Sequence, residues 1–253
     1  MQDELAVVVG GANGIGAAIA ERLVADRSCG RLVVADIDMP GVRRQADSLH
    51  GRGVEVAEHQ VDVCDQGSVD GLVADTADAS WLVVASGIFG TDDALSVTRD
   101  AFRRAMAVNG EGVFFVVQAY AREMAARGRG SVVAVASVAA RVPRVRQVAY
   151  GASKAALRQA LRVLALEVAG SGVRINTVSP GLTATRMMDQ MSADAAAVSN
   201  FACGDLSTFR PRIPRGTVAL PQDVAAVVAF LLRDAAHMTI QDLVVDGGEL
   251  LGM

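Results

Sequence analysis

Tyr150 and Lys154 stand four residues apart in the run Tyr150-Gly151-Ala152-Ser153-Lys154, at the start of a segment with apolar residues at helical spacing. Four residues is about one helical turn, so the two side chains share a face. A phenol ionises near pH ~10, too high for a base at neutral pH, and a neighbouring ammonium lowers that value by favouring the phenolate. The pair suits general acid–base chemistry. Ser137 lies thirteen residues before Tyr150, just after a Val-rich run, and its hydroxyl could hydrogen-bond an alcohol or a developing carbonyl. Taken singly, Tyr150 could be an amphipathic core anchor, Lys154 a solvated helix charge and Ser137 a helix cap. Against the solvated charge stands composition: Lys154 is the only lysine among 24 lysines and arginines. A compact ammonium on a flexible stem fits where a planar guanidinium does not.

A second constellation lies at the N-terminal end, in Val9-Gly10-Gly11-Ala12-Asn13-Gly14-Ile15-Gly16. It follows an apolar run and opens a helix-like one. Gly10, Gly14 and Gly16 would let the turn close, let a pyrophosphate approach the backbone beside Asn13 and Ile15, and let the helix pack on the strand. Asp36, followed by Ile37, ends the next strand-like run. A carboxylate there accepts hydrogen bonds from both adenosine ribose hydroxyls and repels a 2′-phosphate, which favours NAD over NADP. Asp62, followed by Val63, is placed to reach an adenine amino group.

These residues need a scaffold, and the hydrophobic pattern supplies one. Apolar runs at Leu5–Val9, Arg31–Ala35, Val54–His59, Trp81–Ala85, Ser131–Ala136, Arg174–Val178 and Leu243–Val245 read as strands buried on both faces. Between them, Gly14–Ala25, Ala101–Ala126, Tyr150–Ala169 and Pro221–Leu232 read as helices. Alternation throughout predicts one α/β domain over residues 1–253, a Rossmann-type doubly wound parallel sheet of about seven strands with helices on both faces. Residues 183–218, holding Met187, Met188, Met191, Phe201, Phe209, Pro211 and Pro214, show no regular pattern and read as a lid over a substrate.

With 253 residues and 51% of them hydrophobic, the chain can bury one large core. A net charge of −4 with scattered basic residues argues against nucleic acid as a partner. No apolar run approaches the ~20 residues that span a bilayer, and the start Met1-Gln2-Asp3-Glu4 lacks the basic flank of a signal peptide. The expectation is a cytoplasmic protein without membrane association. Cys29, Cys64 and Cys203 are widely spaced and lack a CxxC or Cys/His ligand pattern, so reduced thiols and no metal are expected.

Along essentially its whole length the sequence resembles the short-chain dehydrogenases/reductases. The resemblance is carried by the glycine loop Gly10 to Gly16, Asn109 in Val108-Asn109-Gly110, Ser137, Tyr150 with Lys154, and Pro180-Gly181 ahead of Thr185. It implies an NAD-dependent oxidoreductase in which Tyr150 is the acid/base, Ser137 positions substrate and Lys154 holds the nicotinamide ribose. It also implies that Asn109 supports a water linking Lys154 to solvent and that Thr185 contacts the carboxamide. Ser86, Gly87, Pro180, Gly181 and Thr183 complete the implied cofactor set, and the implied assembly is a homotetramer. Two positions depart from the pattern. Val9 replaces the usual Thr, and Val84-Ala85-Ser86-Gly87 replaces Asn-Asn-Ala-Gly, which puts cofactor geometry and stability in doubt more than reaction type.

Within the family, Val135-Ala136-Ser137, Pro143-Arg144, Ala149 through Leu157, Glu167 through Pro180 and the tail from Gln241 to Gly248 are similar to the bacterial 2,3-dihydro-2,3-dihydroxybenzoate dehydrogenases. That implies oxidation of an allylic alcohol on a cyclohexadiene carboxylate, followed by aromatisation. A carboxylate substrate calls for a cation. Arg144 is the first candidate and Arg146 the second, with Gln147 facing the neighbouring substituent and Met187 and Met191 on the lid. Three alternatives stay open: the 2-amino analogue 2,3-dihydro-3-hydroxyanthranilate, an NADPH-dependent ketone reductase, and a non-catalytic NAD-binding subunit.

Overall fold

A computed structural model describes residues 4–185 and 202–251. Seven strands form one sheet in the order β3-β2-β1-β4-β5-β6-β7, every pair parallel. They are β1 (Leu5–Val9), β2 (Arg31–Asp36), β3 (Glu55–Gln60), β4 (Trp81–Val84), β5 (Gly130–Val135), β6 (Val173–Pro180) and β7 (Asp242–Val245). The helices are α1 (Gly14–Ala25), α2 (Met39–Leu49), α3 (Gln66–Asp75), α4 (Arg99–Ala105), α5 (Val113–Ala126), α6 (Val148–Val168) and α7 (Pro221–Arg233).

The Val-rich runs form strands because both faces of the sheet are covered. Along β1, Ala6 and Val8 pack in one core with α1 and α7, while Leu5, Val7 and Val9 pack in the other with α5 and α6. Each fully buried Val or Leu side chain contributes about 1.5–3 kcal/mol of transfer free energy, an upper figure for a chain already partly collapsed when unfolded. Pro221 opens α7 where its missing N–H costs nothing. At the other end of α7, Arg174 on β6 donates to the carbonyls of Leu231 and Leu232, acceptors that the helix leaves open, and to that of Ala235 just beyond it, at 2.8–3.0 Å.

Three expectations change. The run at Leu243–Val245 is only half-buried, because β7 is an edge strand of this sheet. The run at Val54–His59 is not buried on both faces: β3 is an edge strand, and Glu55 and Glu58 on it are exposed, a charged edge that discourages further strand pairing. The segment Ala101–Ala126 is not one α-helix. It divides into α4, a π-helical stretch Met106–Gly112, and α5. A π turn inserts one residue into the helical repeat, which leaves the hydrophobic pattern almost unchanged and redirects the side chain that it carries, here Asn109.

All the turns that matter leave the sheet at one edge, the C-terminal ends of the strands. Gly10 follows β1, Asp36 ends β2, Asp62 lies beyond β3, Ser86 and Gly87 beyond β4, Ser137 beyond β5 and Gly181 beyond β6. Strand order reverses between β1 and β4, and the crevice at such a switch point is where open α/β sheets take their ligands.

Candidate active site

The glycine turn is built for close approach. Gly10 and Gly14 have φ of +81° and +58°, and a Cβ on Gly10 would lie 2.5 Å from the backbone nitrogen of Ser86. A Cβ on Gly16 would lie 2.0 Å from the carbonyl oxygen of Gly10, so only glycine lets α1 begin against β1. Asp36 is fixed by two backbone donors: Ala12 N–H reaches Oδ2 at 3.2 Å and Asp38 N–H reaches Oδ1 at 3.1 Å. Asp62 likewise accepts from Cys64 N–H at 2.9 Å. Gly10, Asn13, Gly14, Ile15, Gly16, Asp36, Ile37, Asp62, Val63, Ser86, Gly87 and Thr185 all border one groove of about 1180 Å³. A glycine cradle at a helix N-terminus, with a held carboxylate at the far end, fits a dinucleotide.

A second pocket, of about 790 Å³, adjoins the groove through Ile15, Gly87 and Thr185. Ser137, Arg144, Gln147, Tyr150, Lys154, Pro180, Gly181 and Thr183 line it. Ser137 is held at the N-cap of a 3₁₀ turn, its Oγ accepting from Ala139 N–H at 3.1 Å. Tyr150 sits in the first turn of α6 and Lys154 one turn on, a residue 3% exposed whose ammonium donates to the Val135 carbonyl at 2.9 Å.

Burial decides the protonation of this pair. Desolvation pushes the Tyr150 phenol above its ordinary value, and the hydrogen bond with Ser137 recovers part of the shift. Desolvation also pushes the Lys154 ammonium down, from 10.5 to about 8. The phenol therefore stands above its ordinary value, because loss of solvent outweighs the hydrogen bond with Ser137.

Asn109 acts as a rivet. Its Oδ1 accepts from Ile88 N–H at 2.7 Å, while its Nδ2 donates to the Ile88 carbonyl at 2.9 Å and to Ser153 Oγ at 3.1 Å. The π stretch is thereby tied both to the chain leaving β4 and to α6. A Cβ on Gly87 would come within 3.2 Å of both Asn109 Oδ1 and Lys154 Nζ, so the glycine keeps this corner open.

Arg146 does not join the group. Its exposed guanidinium lies 3.5 Å from Asp93 and donates to the Thr91 carbonyl, because a left-handed turn at φ 64° directs it away from the pocket. Met187 and Met191 lie outside the described residues, as does residues 186–201 of the expected lid. Among the lining residues that sequence alone did not single out are Phe89, whose ring meets Tyr150 edge-on with centroids 5.0 Å apart, Leu182 and Arg210. Leu182 lies inside the run from Pro180 to Thr185, whereas Phe89 and Arg210 belong to no motif and reach the pocket only through folding.

A family profile described as Enoyl-(Acyl carrier protein) reductase matches residues 10–249. The chain is 35% identical to the vibriobactin-specific 2,3-dihydro-2,3-dihydroxybenzoate dehydrogenase of Vibrio cholerae, over 97% of this chain and 95% of that one. It is 42% identical to the 2,3-dihydro-2,3-dihydroxybenzoate dehydrogenase of Escherichia coli over 72% of this chain and 73% of that one. Galactitol 2-dehydrogenase (L-tagatose-forming) of Cereibacter sphaeroides is 35% identical over 96% of this chain and 93% of its own. A solved structure titled short chain dehydrogenase/reductase family protein superposes with a TM-score of 0.85 at 33% identity, covering 98% of each chain.

Proposed function

We propose that this chain, which belongs to the short-chain dehydrogenase/reductase family, is an NAD-dependent dehydrogenase that oxidises the ring alcohol of a 2,3-dihydro-3-hydroxy cyclohexadiene carboxylate, 2,3-dihydro-2,3-dihydroxybenzoate being the first candidate. The observation that carries the reading is the convergence of Ser137, Tyr150, Lys154 and Arg144 on one pocket beside the dinucleotide groove. Overall identity does not choose the substrate, since a galactitol dehydrogenase is as similar as one of the dihydroxybenzoate enzymes. Galactitol is an uncharged polyol. Arginine in the pocket wall favours an acid.

When bound, the nicotinamide ring supplies the hydride acceptor. Ser137 Oγ hydrogen-bonds the substrate hydroxyl and holds its carbinol C–H towards the cofactor groove. Tyr150, as phenolate, takes the hydroxyl proton while hydride leaves the same carbon, and the carbonyl formed stays hydrogen-bonded to Ser137 and the new phenol. Lys154 favours the phenolate electrostatically and can donate to the ribose hydroxyls. Asn109 acts at one remove by fixing the corner around Gly87. The ketone product then tautomerises to a phenol, and aromatic stabilisation makes the oxidation strongly favourable.

Asp36 supports NAD: its two oxygens, held by Ala12 and Asp38, face the groove as acceptors for ribose hydroxyls and would repel a 2′-phosphate. Gln147 supports a second reading, the 2-amino analogue, because its amide lines the pocket and offers both donor and acceptor. Val163 and Leu166, exposed on α6, and the half-buried β7 suit the subunit contacts of a homotetramer. The test is formation of reduced cofactor by purified protein with the hydroxy and amino dihydroarene carboxylates, each with NAD and with NADP. Turnover of one acid with NAD is the expected result. Turnover only with NADP, or of polyols in preference to both acids, refutes the proposal.

A further inference from the structure

The wall of the pocket away from the dinucleotide groove contains a buried charge cluster that the proton-transfer steps leave unused. Its members come from three segments: Arg144 from the loop before α6, Arg210 from the chain after a 3₁₀ turn at Leu206–Thr208, and Glu249 from the turn after β7. Arg144 Nη2 donates to Glu249 Oε1 at 2.9 Å and Arg210 Nε donates to the same oxygen at 3.2 Å. The Glu249 side chain is wholly enclosed, and those of the arginines are 9% and 11% exposed. Both arginines line the pocket.

Two cations share one buried carboxylate, and the other anion that acts on Arg210, Asp205, lies at the exposed surface, so within the wall itself cations outnumber anions in a poorly solvated place. Such an excess is costly unless something meets it. Among the described residues, neither guanidinium has a hydrogen-bond acceptor other than Glu249 Oε1, and Arg144 Nε is buried without a partner. Desolvation weakens the Arg210 cation, the charge of Glu249 restores it in part, the neighbouring charge of Arg144 weakens it again, and the Glu249 hydrogen bond and the Asp205 charge support it; the net shift is downward. Each guanidinium has five N–H donors, so donors remain on both for a ligand that enters between them.

We propose that Arg144 and Arg210 form a two-arginine receptor for one carboxylate of the substrate, and that Glu249 sets its charge so that a monoanion is accepted in preference to a dianion. This rests on the reading of the pocket as one for a ring alcohol bearing an acid, and it adds a second cation and a charge-setting residue to that reading. Glu249 acts through the arginines and is a positioning residue.

The test is calorimetric titration of the full-length protein, saturated with NAD, with benzoate, benzamide and phthalate. The wild-type protein should bind benzoate at least about tenfold more tightly than either of the others, as expected for charge-assisted hydrogen bonds. Arg210→Gln should weaken benzoate roughly 10- to 100-fold and leave benzamide within about twofold. Glu249→Gln should shift the phthalate-to-benzoate ratio at least about tenfold towards the dianion, a change in selectivity that a purely structural role would not produce. Equal binding of benzoate and benzamide by wild type overturns the proposal, and so does a folded Glu249→Gln protein that weakens both anions alike. If Glu249→Gln does not fold, the Arg210→Gln comparison decides alone. Binding selectivity without oxidation of any ring alcohol would refute the reaction and keep the receptor; oxidation of the acid with KM unchanged in Arg210→Gln would do the reverse.

Discussion

Two buried charges belong to opposite surroundings, one on helix α6 and one on the strand that α6 reaches over. Lys154 is 3% exposed and, among the described residues, donates one hydrogen bond, to Val135. The Asp242 side chain is likewise 3% exposed, yet it accepts from Arg141 Nε at 2.8 Å, Arg158 Nε at 2.6 Å, Thr177 Oγ1 at 3.0 Å and Ser179 Oγ at 2.6 Å. Arg158 stands one turn beyond Lys154 on the same helix. The carboxylate that joins α6, β6 and the chain after Ser137 to β7 is fully met by the protein. The ammonium beside Tyr150 has hydrogen-bonding capacity left for a ligand, and the fold bears the cost of burying it. Sites of chemistry are where a protein tolerates such a deficit.

The largest effect should come from Lys154→Arg. A Cβ on Gly87 would sit 3.2 Å from Lys154 Nζ, so the corner has little room for a guanidinium. We expect kcat/KM to fall about 10³-fold, roughly 4 kcal/mol of barrier, while circular dichroism and chromatographic behaviour stay those of wild type. Near-normal turnover would break the comparison, because the charge at that position would then need no particular shape.

Asp242→Asn should act on the other side of the comparison. It leaves Arg141 and Arg158 without their shared anion, and because both are about a quarter exposed the cost is moderate, about 2–4 kcal/mol. Denaturant midpoints should fall accordingly, and kcat per folded molecule should stay within about threefold. The same residue predicts an acid limb. Burial would raise the Asp242 pKa, but the hydrogen bonds from Ser179 and Arg141 and the Arg141 charge hold it below the usual carboxylate range. A carboxylate with a depressed folded pKa contributes stability that is full above its unfolded pKa, ~3.9, and is lost as pH falls through the lower folded value. Denaturant curves between pH 5 and 2 should therefore be steeper in pH for wild type than for Asp242→Asn; equal slopes would mean that the cluster is not a charged one.

The sequence exposed the side of this comparison that we propose performs chemistry and concealed the side that holds it. Tyr150, Lys154, Ser137 and the glycine turn are local patterns, with spacings that a helix turn or a strand end converts directly into geometry. Asp242, Arg141 and Arg158 meet only because β7 lies beside β6 and α6 crosses nearby, and nothing in their local sequence announces it. The same holds for Glu249 with Arg144 and Arg210, 105 and 39 residues apart. The parallel sheet was legible because both of its faces are apolar along β1, β2, β4 and β5. The π stretch around Asn109 was not, since one added residue in a helix hardly disturbs the apolar repeat. The position of Arg146, the second candidate, was not legible for a related reason: it adjoins the pocket in sequence, but its backbone is left-handed and its side chain lies by Asp93.

The smallest effect should be a gain in stability. Lys154 has its pKa lowered from 10.5 to about 8 by desolvation, so near neutral pH the folded state holds a charged group that the unfolded state solvates better. Between about pH 8 and 10.5 the unfolded chain binds this proton and the folded one does not, so stability rises with pH across that window. Lys154→Met removes the charge, roughly keeps the length of the side chain, and loses one hydrogen bond to Val135. The lost hydrogen bond offsets part of the relief. We expect a net gain of about 1–2 kcal/mol at pH 7. The gain should shrink towards pH 10.5, as the wild-type ammonium loses its proton and its penalty with it. A destabilised Lys154→Met protein at pH 7, or a gain that does not diminish with rising pH, would show that the ammonium is as well met by the fold as Asp242 is, and the contrast between the two buried charges would disappear.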